Sequence, residues 1–202
     1  MTPIPKLLKS RQFHSRIFAV MAVAILLISS PASRSGLLFQ AMLWLGYVLV
    51  IFGAFGRVYC SAFIGGRKND TVVRLGPFSA VRNPLYVFSF IALLGIGLES
   101  QMITVTILLA GAFALYYPRV VAREEAFLKH KFGEPYNAYM NEVPRWIPNL
   151  KLFSEPQEFE SMPRFIRRTA LDAAIFFIPL PCFVLIGLLQ SYRWLPIWLM
   201  LP

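Results

Sequence analysis

Long apolar runs of membrane-spanning length are the feature that most constrains this 202-residue chain. A helix that crosses a hydrocarbon core of roughly 30 Å needs about 20 apolar residues. Backbone polar groups must also be satisfied inside the lipid, and a helix does this within one segment. The sequence therefore predicts an all-α, polytopic transmembrane helical bundle of about five spans, over residues 17–28, 37–56, 85–98, 102–121 and 171–189.

Two of these runs carry additional signals. The run 171–189 contains Pro179 and Pro181, which predict a kink in the last span. The first run follows a basic segment and ends at Ser30-Pro31-Ala32, so it also has the pattern of a secretory signal with a cleavage site. A span and a cleaved signal are both open for this run, and the later spans keep the same orientation in either case.

The basic residues predict how the spans are oriented, because Lys and Arg concentrate on the cytoplasmic side of membrane proteins. With five spans and a cytoplasmic N-terminus, all 20 basic residues except Arg34 and Arg193 fall on the inner side. The net charge of +10 is therefore interpreted as a topogenic signal that also attracts anionic lipid. The sequence has no basic stripe interleaved with stacking aromatics, so it does not indicate a nucleic-acid partner. We expect a bacterial inner-membrane protein.

Cysteine and histidine are too sparse to suggest a disulfide framework or a metal site. The predicted topology puts Cys60 near the inner face and Cys182 in the middle of the membrane, so no disulfide is expected between them. His14 and His130 stand without Cys or His at ligand spacing. The sequence predicts no bound metal.

Three segments are predicted along the chain. Residues 1–56 form an N-terminal transmembrane hairpin, and residues 57–150 form a core made of spans three and four with a cytosolic lid. Residues 151–202 supply a linker, the C-terminal span and an interfacial tail. Within these segments, 123–132 is expected to be an amphipathic helix that Gly133 ends. Residues 149–168 are expected to be a polar connector, and 192–198 a tail at headgroup level.

Polar residues recur in an ordered series between Arg82 and Pro148. Ionisable groups at the border of a bilayer are costly to keep and are by default candidates for function. Each segment also has a structural interpretation, because Arg82 can mark the inner end of a span, Gly95 and Gly97 can form a helix-packing face, and Glu124-Glu125 can be solvated. The segments are Arg82-Asn83-Pro84-Leu85-Tyr86, Gly95-Ile96-Gly97, Arg123-Glu124-Glu125, Phe132-Gly133 with Tyr136 and Tyr139, and Val143-Pro144-Arg145-Trp146-Ile147-Pro148.

In order and spacing, this series resembles the region shared by the isoprenylcysteine carboxyl methyltransferases and the phospholipid N-methyltransferases. That region contains Arg-His-Pro-x-Tyr, a Gly-rich third span, Glu-Glu after the next span, Phe-Gly-x-x-Tyr-x-x-Tyr and Val-Pro-x-x-x-Pro. The resemblance covers residues 74–150 and implies an integral membrane enzyme that uses S-adenosylmethionine. In the phospholipid methyltransferases the Gly-x-Gly and Glu-Glu elements are assigned to the cofactor. The resemblance therefore implies a cofactor-binding role for Gly95, Gly97, Glu124 and Glu125.

Other residues of the series fit the remaining parts of this cofactor. Arg82 is expected to make bidentate hydrogen bonds to its carboxylate. Tyr86, Tyr136 and Tyr139 offer flat amphipathic walls. Asn83 belongs to the same predicted cofactor-binding set, but it stands where the family usually has His. An amide donates and accepts hydrogen bonds, yet it cannot titrate or carry charge.

The methyl acceptor is left open by the sequence, although a lipid-like or small hydrophobic molecule is expected to arrive from the bilayer. A carboxylate acceptor of the prenylcysteine type needs no base, but it needs a cation such as Arg145 to orient it. An amine acceptor of the phospholipid type must lose a proton, and Glu125 is the nearest candidate base. Glu125 and Arg145 are therefore the predicted catalytic residues. A thiol or phenol acceptor is also compatible with the sequence.

The sequence also leaves two other classes of protein open. One is a catalytically inactive membrane scaffold or lipid-binding protein of the same fold, which the departure at Asn83 favours. The other is a reductase with a nicotinamide cofactor on a similar scaffold. The reductase is disfavoured because no Gly-x-Gly-x-x-Gly follows a predicted strand.

Overall fold

The computed structural model describes residues 27–31, 36–67 and 70–202. Helices make up most of this part of the chain, as predicted. The helices are α1 (Leu37–Ile64), α2 (Pro77–Ala80), α3 (Pro84–Glu99), α4 (Ile103–Phe132), α5 (Glu134–Glu142), α6 (Pro163–Ala174) and α7 (Pro179–Ser191). The strands β1 (Ser29–Pro31) and β2 (Leu199–Leu201) and two 3₁₀ turns, Leu150–Leu152 and Ile175–Phe177, complete the elements.

Three helical stretches are long and apolar enough to cross a membrane, judged by length and composition. They are α1 with 28 residues, α4 with 30, and the stretch Pro163–Ser191 with 29, while α3 is a shorter apolar helix. These helices confirm the prediction of an all-α membrane bundle with several spans. The first predicted span, 17–28, lies outside the described residues apart from its last two. Its possible cleavage, like the orientation of the bundle, stays a prediction.

Helices α1 and α3 pack with their backbones unusually close together. A Cβ atom on Gly46 of α1 would lie 2.6 Å from the carbonyl oxygen of Gly95 on α3, and a Cβ on Gly95 would meet Gly46 at the same distance. Small residues allow this approach between membrane helices, where van der Waals contact replaces the hydrophobic drive available in water. The predicted boundary between residues 56 and 57 falls inside α1, which continues without a break to Ile64.

The structure corrects the predicted boundary between the fourth span and a separate surface helix. Instead of a span to residue 121 and an amphipathic helix over 123–132, α4 is one continuous helix despite Pro118. Its 30 residues make about 45 Å of helix, which exceeds the roughly 30 Å of a hydrocarbon core. The C-terminal turns can therefore extend past the apolar layer. As predicted, Gly133 ends the helix, with a φ of 61°.

The C-terminal span differs from its prediction in two places. Helix α6 begins at Pro163, so Arg167 and Arg168 lie inside a helix rather than in the expected polar connector 149–168. The kink expected at Pro179 is a 3₁₀ turn that begins at Ile175. Pro179 lacks an N–H to donate to the carbonyl four residues earlier, and its ring clashes there, which places the irregularity one turn before the proline. Pro179 then suits the first turn of α7.

The two strands form a small parallel ribbon at the end of the bundle where α3 finishes. The backbone N–H of Trp198 donates to the Ile28 carbonyl oxygen at 2.9 Å, and Gln190 Nε2 donates to the Ser29 carbonyl oxygen at 3.0 Å. Strands of three residues leave no periodicity in the sequence, so the ribbon was not predicted. The side chains of Trp194 and Trp198, expected at headgroup level, are exposed.

Candidate active site

Two segments that lie apart in the sequence meet beside the first turn of α3. The backbone N–H of Arg82 donates to the Pro144 carbonyl oxygen at 2.9 Å, and that of Asn149 donates to the Ala80 carbonyl oxygen at 2.9 Å. These backbone bonds hold the segment 144–149 against the segment 80–83. As a result, Arg145 lies next to the start of α3 and the C-terminal part of α4.

Glu125, near the C-terminal end of α4, is the centre of the resulting cluster, and its side chain is 3% exposed. Its Oε2 accepts a hydrogen bond from Nε of Arg145 at 2.8 Å and also contacts Nη2 of the same guanidinium. Its Oε1 accepts a hydrogen bond from Nδ2 of Asn83 at 3.0 Å and lies 3.6 Å from Nη1 of Arg82. Both carboxylate oxygens are therefore engaged.

Two cationic side chains and one amide surround the buried carboxylate of Glu125 in this cluster. A buried carboxylate is tolerated when charged partners and hydrogen bonds surround it, and Glu125 has two guanidinium groups and one amide. Its hydrogen bonds raise the pKa of Arg145 above its ordinary value. The side chain of Arg145 is 39% exposed, so this residue lies at the rim while Glu125 lies below it.

Glu124 takes a different partner from its neighbour Glu125. Successive residues on a helix point about 100° apart, so one carboxylate enters the cluster and the other turns towards α3. The hydroxyl of Tyr86 donates to Oε2 of Glu124 at 2.9 Å. The ring of Tyr86 also lies 5.6 Å from that of Tyr117 on α4. Tyr86 and Glu124 together link the first turn of α3 to the C-terminal half of α4.

Helix α5 contributes two buried tyrosines, Tyr136 and Tyr139, whose ring centroids are 5.8 Å apart. The hydroxyl of Tyr139 donates to the Phe78 carbonyl oxygen at 2.7 Å, which anchors α5 to α2. Arg74 donates to the Pro135 carbonyl oxygen at 2.9 Å and lies over the Tyr139 ring. Burial raises the pKa of Tyr136 to about 12 and also raises the pKa of Tyr139, so both phenols are neutral at physiological pH.

A cavity of about 270 Å³ lies beside the cluster, and we name it the Arg82 cavity. The Nε and Nη1 atoms of Arg82 are buried without a hydrogen-bond partner in the part of the chain that the structure describes. A buried guanidinium with unused N–H groups in a cavity wall is suited to bind an anion. The predicted site residues that line this cavity are Arg82, Asn83, Tyr86, Glu124, Tyr136 and Tyr139.

The structure does not bring Gly95 and Gly97 to this site. Gly95 packs against Gly46 and Val50 of α1, and a Cβ on Gly97 would lie 2.7 Å from Cα of Thr106 on α4. Neither glycine is among the lining residues of the Arg82 cavity. They lie 11 and 13 residues beyond Pro84, the first residue of α3. At a rise of about 1.5 Å per residue, this is roughly 16 and 20 Å from the start of the helix. Their observed contacts are those of helix packing, which was the structural interpretation of this pair.

Arg57 is a cavity-lining residue that the sequence analysis used only to orient the bundle. Its Nη1 donates to the Leu85 carbonyl oxygen at 3.4 Å and to Oγ of Ser89, both on α3. Its guanidinium lies 5.5 Å from the centroid of the Phe176 ring. An arginine inside a membrane-length helix is by default a functional candidate, and this signal was available in the sequence.

In the described part of the chain, no group of three or more His, Cys, Asp or Glu side chains is placed to hold a metal ion. The cluster around Glu125 instead combines carboxylates with guanidinium groups, amide and phenol. This is a donor set for an organic ligand that carries both positive and negative groups. A polar zwitterion with an attached aromatic part fits such a set.

Comparison with known proteins also indicates a relation to methyltransferases. A family model described as phospholipid methyltransferase matches residues 34–135, which is half of the chain. The matched range contains Arg82, Asn83, Tyr86, Glu124 and Glu125, and it ends before Tyr136. No solved structure matches the chain.

Three curated relatives show how the similarity is distributed. The nickel-cobalt-cadmium resistance protein of Alcaligenes xylosoxydans is 33% identical over 163 residues, covering 80% of this chain and 76% of the relative. The cobalt-zinc-cadmium resistance protein of Cupriavidus metallidurans is 36% identical over 135 residues, covering 67% and 62%. A protein-S-isoprenylcysteine O-methyltransferase of Schizosaccharomyces pombe is 32% identical over 81 residues, covering 40% and 34%.

Proposed function

We propose that this chain, which belongs to the phospholipid methyltransferase family, is a multi-pass membrane methyltransferase that uses S-adenosylmethionine. Its acceptor is a lipid-like or small hydrophobic molecule. The observation that carries the proposal is the buried guanidinium of Arg82 in the wall of a cavity that Glu124 and tyrosine rings also line. Its Nε and Nη1 have no hydrogen-bond partner among the described residues, although Nη1 forms an ion pair with Glu125 at 3.6 Å. The groups that line this cavity are complementary to a cofactor with a carboxylate, an amine, hydroxyls and an aromatic base.

The residues of the Arg82 cavity fit separate parts of that cofactor. Arg82 is the candidate for its carboxylate, because charge-assisted bonds from guanidinium to carboxylate are strong and directional. Glu124 is the candidate for the amine or the ribose hydroxyls. Tyr86 and Tyr136 present ring faces for the adenine. When bound, S-adenosylmethionine supplies an electrophilic methyl group, and the chain's part is to hold the two reactants together away from water.

We propose a positioning role for Glu125, which its hydrogen bonds support. Its oxygens already accept hydrogen bonds from Arg145 and Asn83, and these bonds compete with proton transfer from an acceptor. A general base must reach the proton that it removes, and Glu125 is committed elsewhere. We therefore infer that Glu125 orders the guanidinium groups around the cavity. Such a site favours an acceptor that needs no proton removed, such as a carboxylate, over an amine.

Arg145 is placed to orient an anionic acceptor at the rim of the site. Its bonds to Glu125 use Nε and Nη2, and Nη1 takes no part in them. Because the side chain is partly exposed while Glu125 is buried, an acceptor can reach Arg145 without disturbing the cluster. We propose that Arg145 pairs with the acceptor carboxylate. This is the catalytic role that the sequence analysis gave it.

Asn83 is compatible with an intact site despite its departure from the family's histidine. Its Nδ2 donates to Glu125 at 3.0 Å and to the Arg145 carbonyl oxygen at 3.3 Å. Both contacts need N–H donors and neither needs a titratable group. The amide therefore supplies what this cluster uses, and the substitution does not by itself indicate lost activity.

The site is proposed to face the cytoplasm of a bacterium, in the inner membrane. The argument is the distribution of basic residues, which concentrates positive charge at the end of the bundle that carries Arg82 and Arg145. The cofactor is made in the cytoplasm and is polar, so it would enter at this end. The acceptor would enter sideways from the bilayer.

Binding of S-adenosylmethionine tests the proposal. Isothermal titration of the purified protein in detergent should give a saturable signal, and Arg82→Gln should weaken it at least about tenfold. Arg168→Gln is the matched control, because Arg168 is exposed and lies outside the site. A well-folded wild type that does not bind the cofactor would favour the inactive scaffold instead.

A second candidate function is a non-catalytic role in resistance to metal ions. The observation that favours it is that two bacterial relatives are named as nickel-cobalt-cadmium and cobalt-zinc-cadmium resistance proteins. The two functions separate when cells that express wild type or Arg82→Gln are grown on these ions. Tolerance that depends on Arg82 indicates methyl transfer in the resistance process, and tolerance that survives the change indicates a non-catalytic role.

A further inference from the structure

A second buried carboxylate lies at the opposite end of α3 from the candidate active site. Glu99 is the last residue of this 16-residue helix, about 24 Å from its start. The residue is 3% exposed. Both of its carboxylate oxygens are buried without a hydrogen-bond partner in the described part of the chain. An unpartnered buried carboxylate is strongly destabilising unless it is neutralised or bound, so its presence needs an explanation.

Glu99 lines a cavity of about 400 Å³, which we name the Glu99 cavity. Most of its wall is apolar, with Leu43 from α1, Met102 before α4, and Phe183 and Val184 from α7. Cavities of a few hundred cubic ångströms with mostly apolar walls and a few polar groups are typical of sites for small organic molecules. This cavity is larger than the Arg82 cavity and shares no lining residue with it.

The polar neighbours of Glu99 are committed to other partners. The hydroxyl of Ser100 donates to the Gly97 carbonyl oxygen at 2.6 Å, and Nε2 of Gln101 donates to the Phe39 carbonyl oxygen at 3.3 Å. Among the described residues no ion pair joins Glu99 to a basic side chain. Within the part of the chain that the structure describes, this carboxylate therefore has mostly apolar walls and no basic side chain that balances its charge.

We propose that the Glu99 cavity binds the ammonium group of a hydrophobic amine, with the hydrocarbon part against Phe183 and Val184. One carboxylate balances one ammonium charge, and the walls bury the attached carbon skeleton. A divalent metal ion fits the cavity poorly, because such ions take several carboxylate, imidazole or thiolate ligands. The residues that the structure describes offer only the carboxylate of Glu99 here, and no group of three or more His, Cys, Asp or Glu side chains. The proposal is independent of the methyltransferase activity, which uses the other end of α3.

Two sources can supply this ammonium group: the headgroup of a membrane lipid or a free amine that partitions into the bilayer. Nonionic maltoside micelles contain neither, so they provide a neutral background. Benzyltrimethylammonium is a suitable probe because it is water-soluble, permanently charged and partly aromatic. Benzyl alcohol serves as the uncharged comparison.

Titration of the probe into wild type, Glu99→Gln and Glu160→Gln tests the site. Glu160 is an exposed carboxylate far along the chain and is the matched control. We expect saturable binding to wild type and to Glu160→Gln, at least about tenfold weaker binding to Glu99→Gln, and no saturable binding of benzyl alcohol. Absence of binding to wild type, or equal binding to Glu99→Gln, would overturn the proposal.

A second measurement uses the wild type alone, so it tests binding at Glu99 even if Glu99→Gln does not fold. A hydrophobic carbodiimide modifies protonated carboxyl groups inside apolar regions, and peptide mass spectrometry locates the adduct. We expect modification at Glu99 that saturating probe suppresses, whereas unchanged modification would refute the site. Added phosphatidylethanolamine that displaces the probe indicates a lipid headgroup as the natural occupant, and no displacement excludes this headgroup.

Discussion

The carboxylate of Glu125 is held by the guanidinium of Arg145, through Nε at 2.8 Å and through Nη2. Glu125 lies on a membrane-length helix, and Arg145 lies on an irregular segment that follows the short helix α5. This ion pair therefore joins the backbone bonds of Arg82 and Asn149 in holding the segment 144–149 against the bundle. It also supports the proposed positioning role of Glu125, because its carboxylate already accepts these bonds.

Glu125→Gln is expected to abolish measurable cofactor binding while the protein still inserts into the membrane. Glutamine keeps the shape but leaves two guanidinium groups without their anion. Removing one partner of a buried ion pair typically costs about 3–5 kcal/mol. Titration with S-adenosylmethionine and thermal unfolding in detergent measure the two effects. Glu160→Gln should change neither quantity, and normal cofactor binding by Glu125→Gln would contradict the assigned role.

Much of the bundle could be predicted from the sequence because apolar run length is a direct consequence of bilayer thickness. Membrane-length α1 and α4 and the short apolar α3 were located in this way. The motif spacing likewise predicted that Arg82, Glu125 and Arg145 belong to one region. These features depend on local sequence and on the family pattern, and neither requires knowledge of how the helices rotate.

The sequence could not predict which contacts each of several adjacent or similar residues makes. Glu124 and Glu125 are neighbours in the sequence, and only the rotation of α4 decides that Glu125 enters the cluster while Glu124 meets Tyr86. The sequence leaves Gly95 open as a ligand contact or as a packing residue until α1 is seen against it. Arg57 looked like a topology signal because its partners on α3 are distant in the sequence.

Gly95→Ala separates helix packing from cofactor binding. A Cβ at this position would lie 2.6 Å from the Gly46 carbonyl oxygen, so α1 and α3 must separate. We expect a loss of stability of about 1–3 kcal/mol, the usual cost of overpacking, with the Kd for S-adenosylmethionine unchanged in the fraction that folds. Thermal unfolding and titration measure these quantities.

Gly111→Ala is the control for this change, because a Cβ on Gly111 of α4 meets nothing within 4 Å. It should leave stability unchanged or slightly raised, since alanine is the better helix former. A Gly95→Ala protein that is stable but does not bind the cofactor would restore the cofactor-binding role that the family resemblance implied for this glycine.

Tyr139→Phe is expected to loosen α5 without removing a cavity wall. The phenol donates to the Phe78 carbonyl oxygen at 2.7 Å in a buried environment, and loss of such a bond costs about 1–3 kcal/mol when the acceptor stays buried. The ring itself remains. Hydrogen exchange should therefore increase in 134–142 with a modest fall in thermal stability, whereas an unchanged exchange rate would show that other contacts anchor α5.

Stability is expected to fall at high pH because of Tyr136. Burial raises the pKa of its phenol from its ordinary value of 10 to about 12, so the folded state holds this proton more tightly than the unfolded state. The resulting stabilisation is fully present below pH 10 and is lost as the pH rises from about 10 to about 12. Unfolding in denaturant between pH 9 and pH 12 measures it. Tyr136→Phe should show a shallower decline, and an identical decline would contradict this origin.

Asn83→Asp tests whether Asn83 acts as a hydrogen-bond donor to Glu125. Its Nδ2 lies 3.0 Å from Oε1 of Glu125, and replacing this amide with a carboxylate sets two like charges against each other at that distance. We expect cofactor binding to fall at least about tenfold at neutral pH, with partial recovery as acid protonates one of the two carboxyl groups. Asn83→His, which keeps an N–H donor, should retain binding. Equal loss in both variants would instead show that the site requires the size of asparagine rather than its donor.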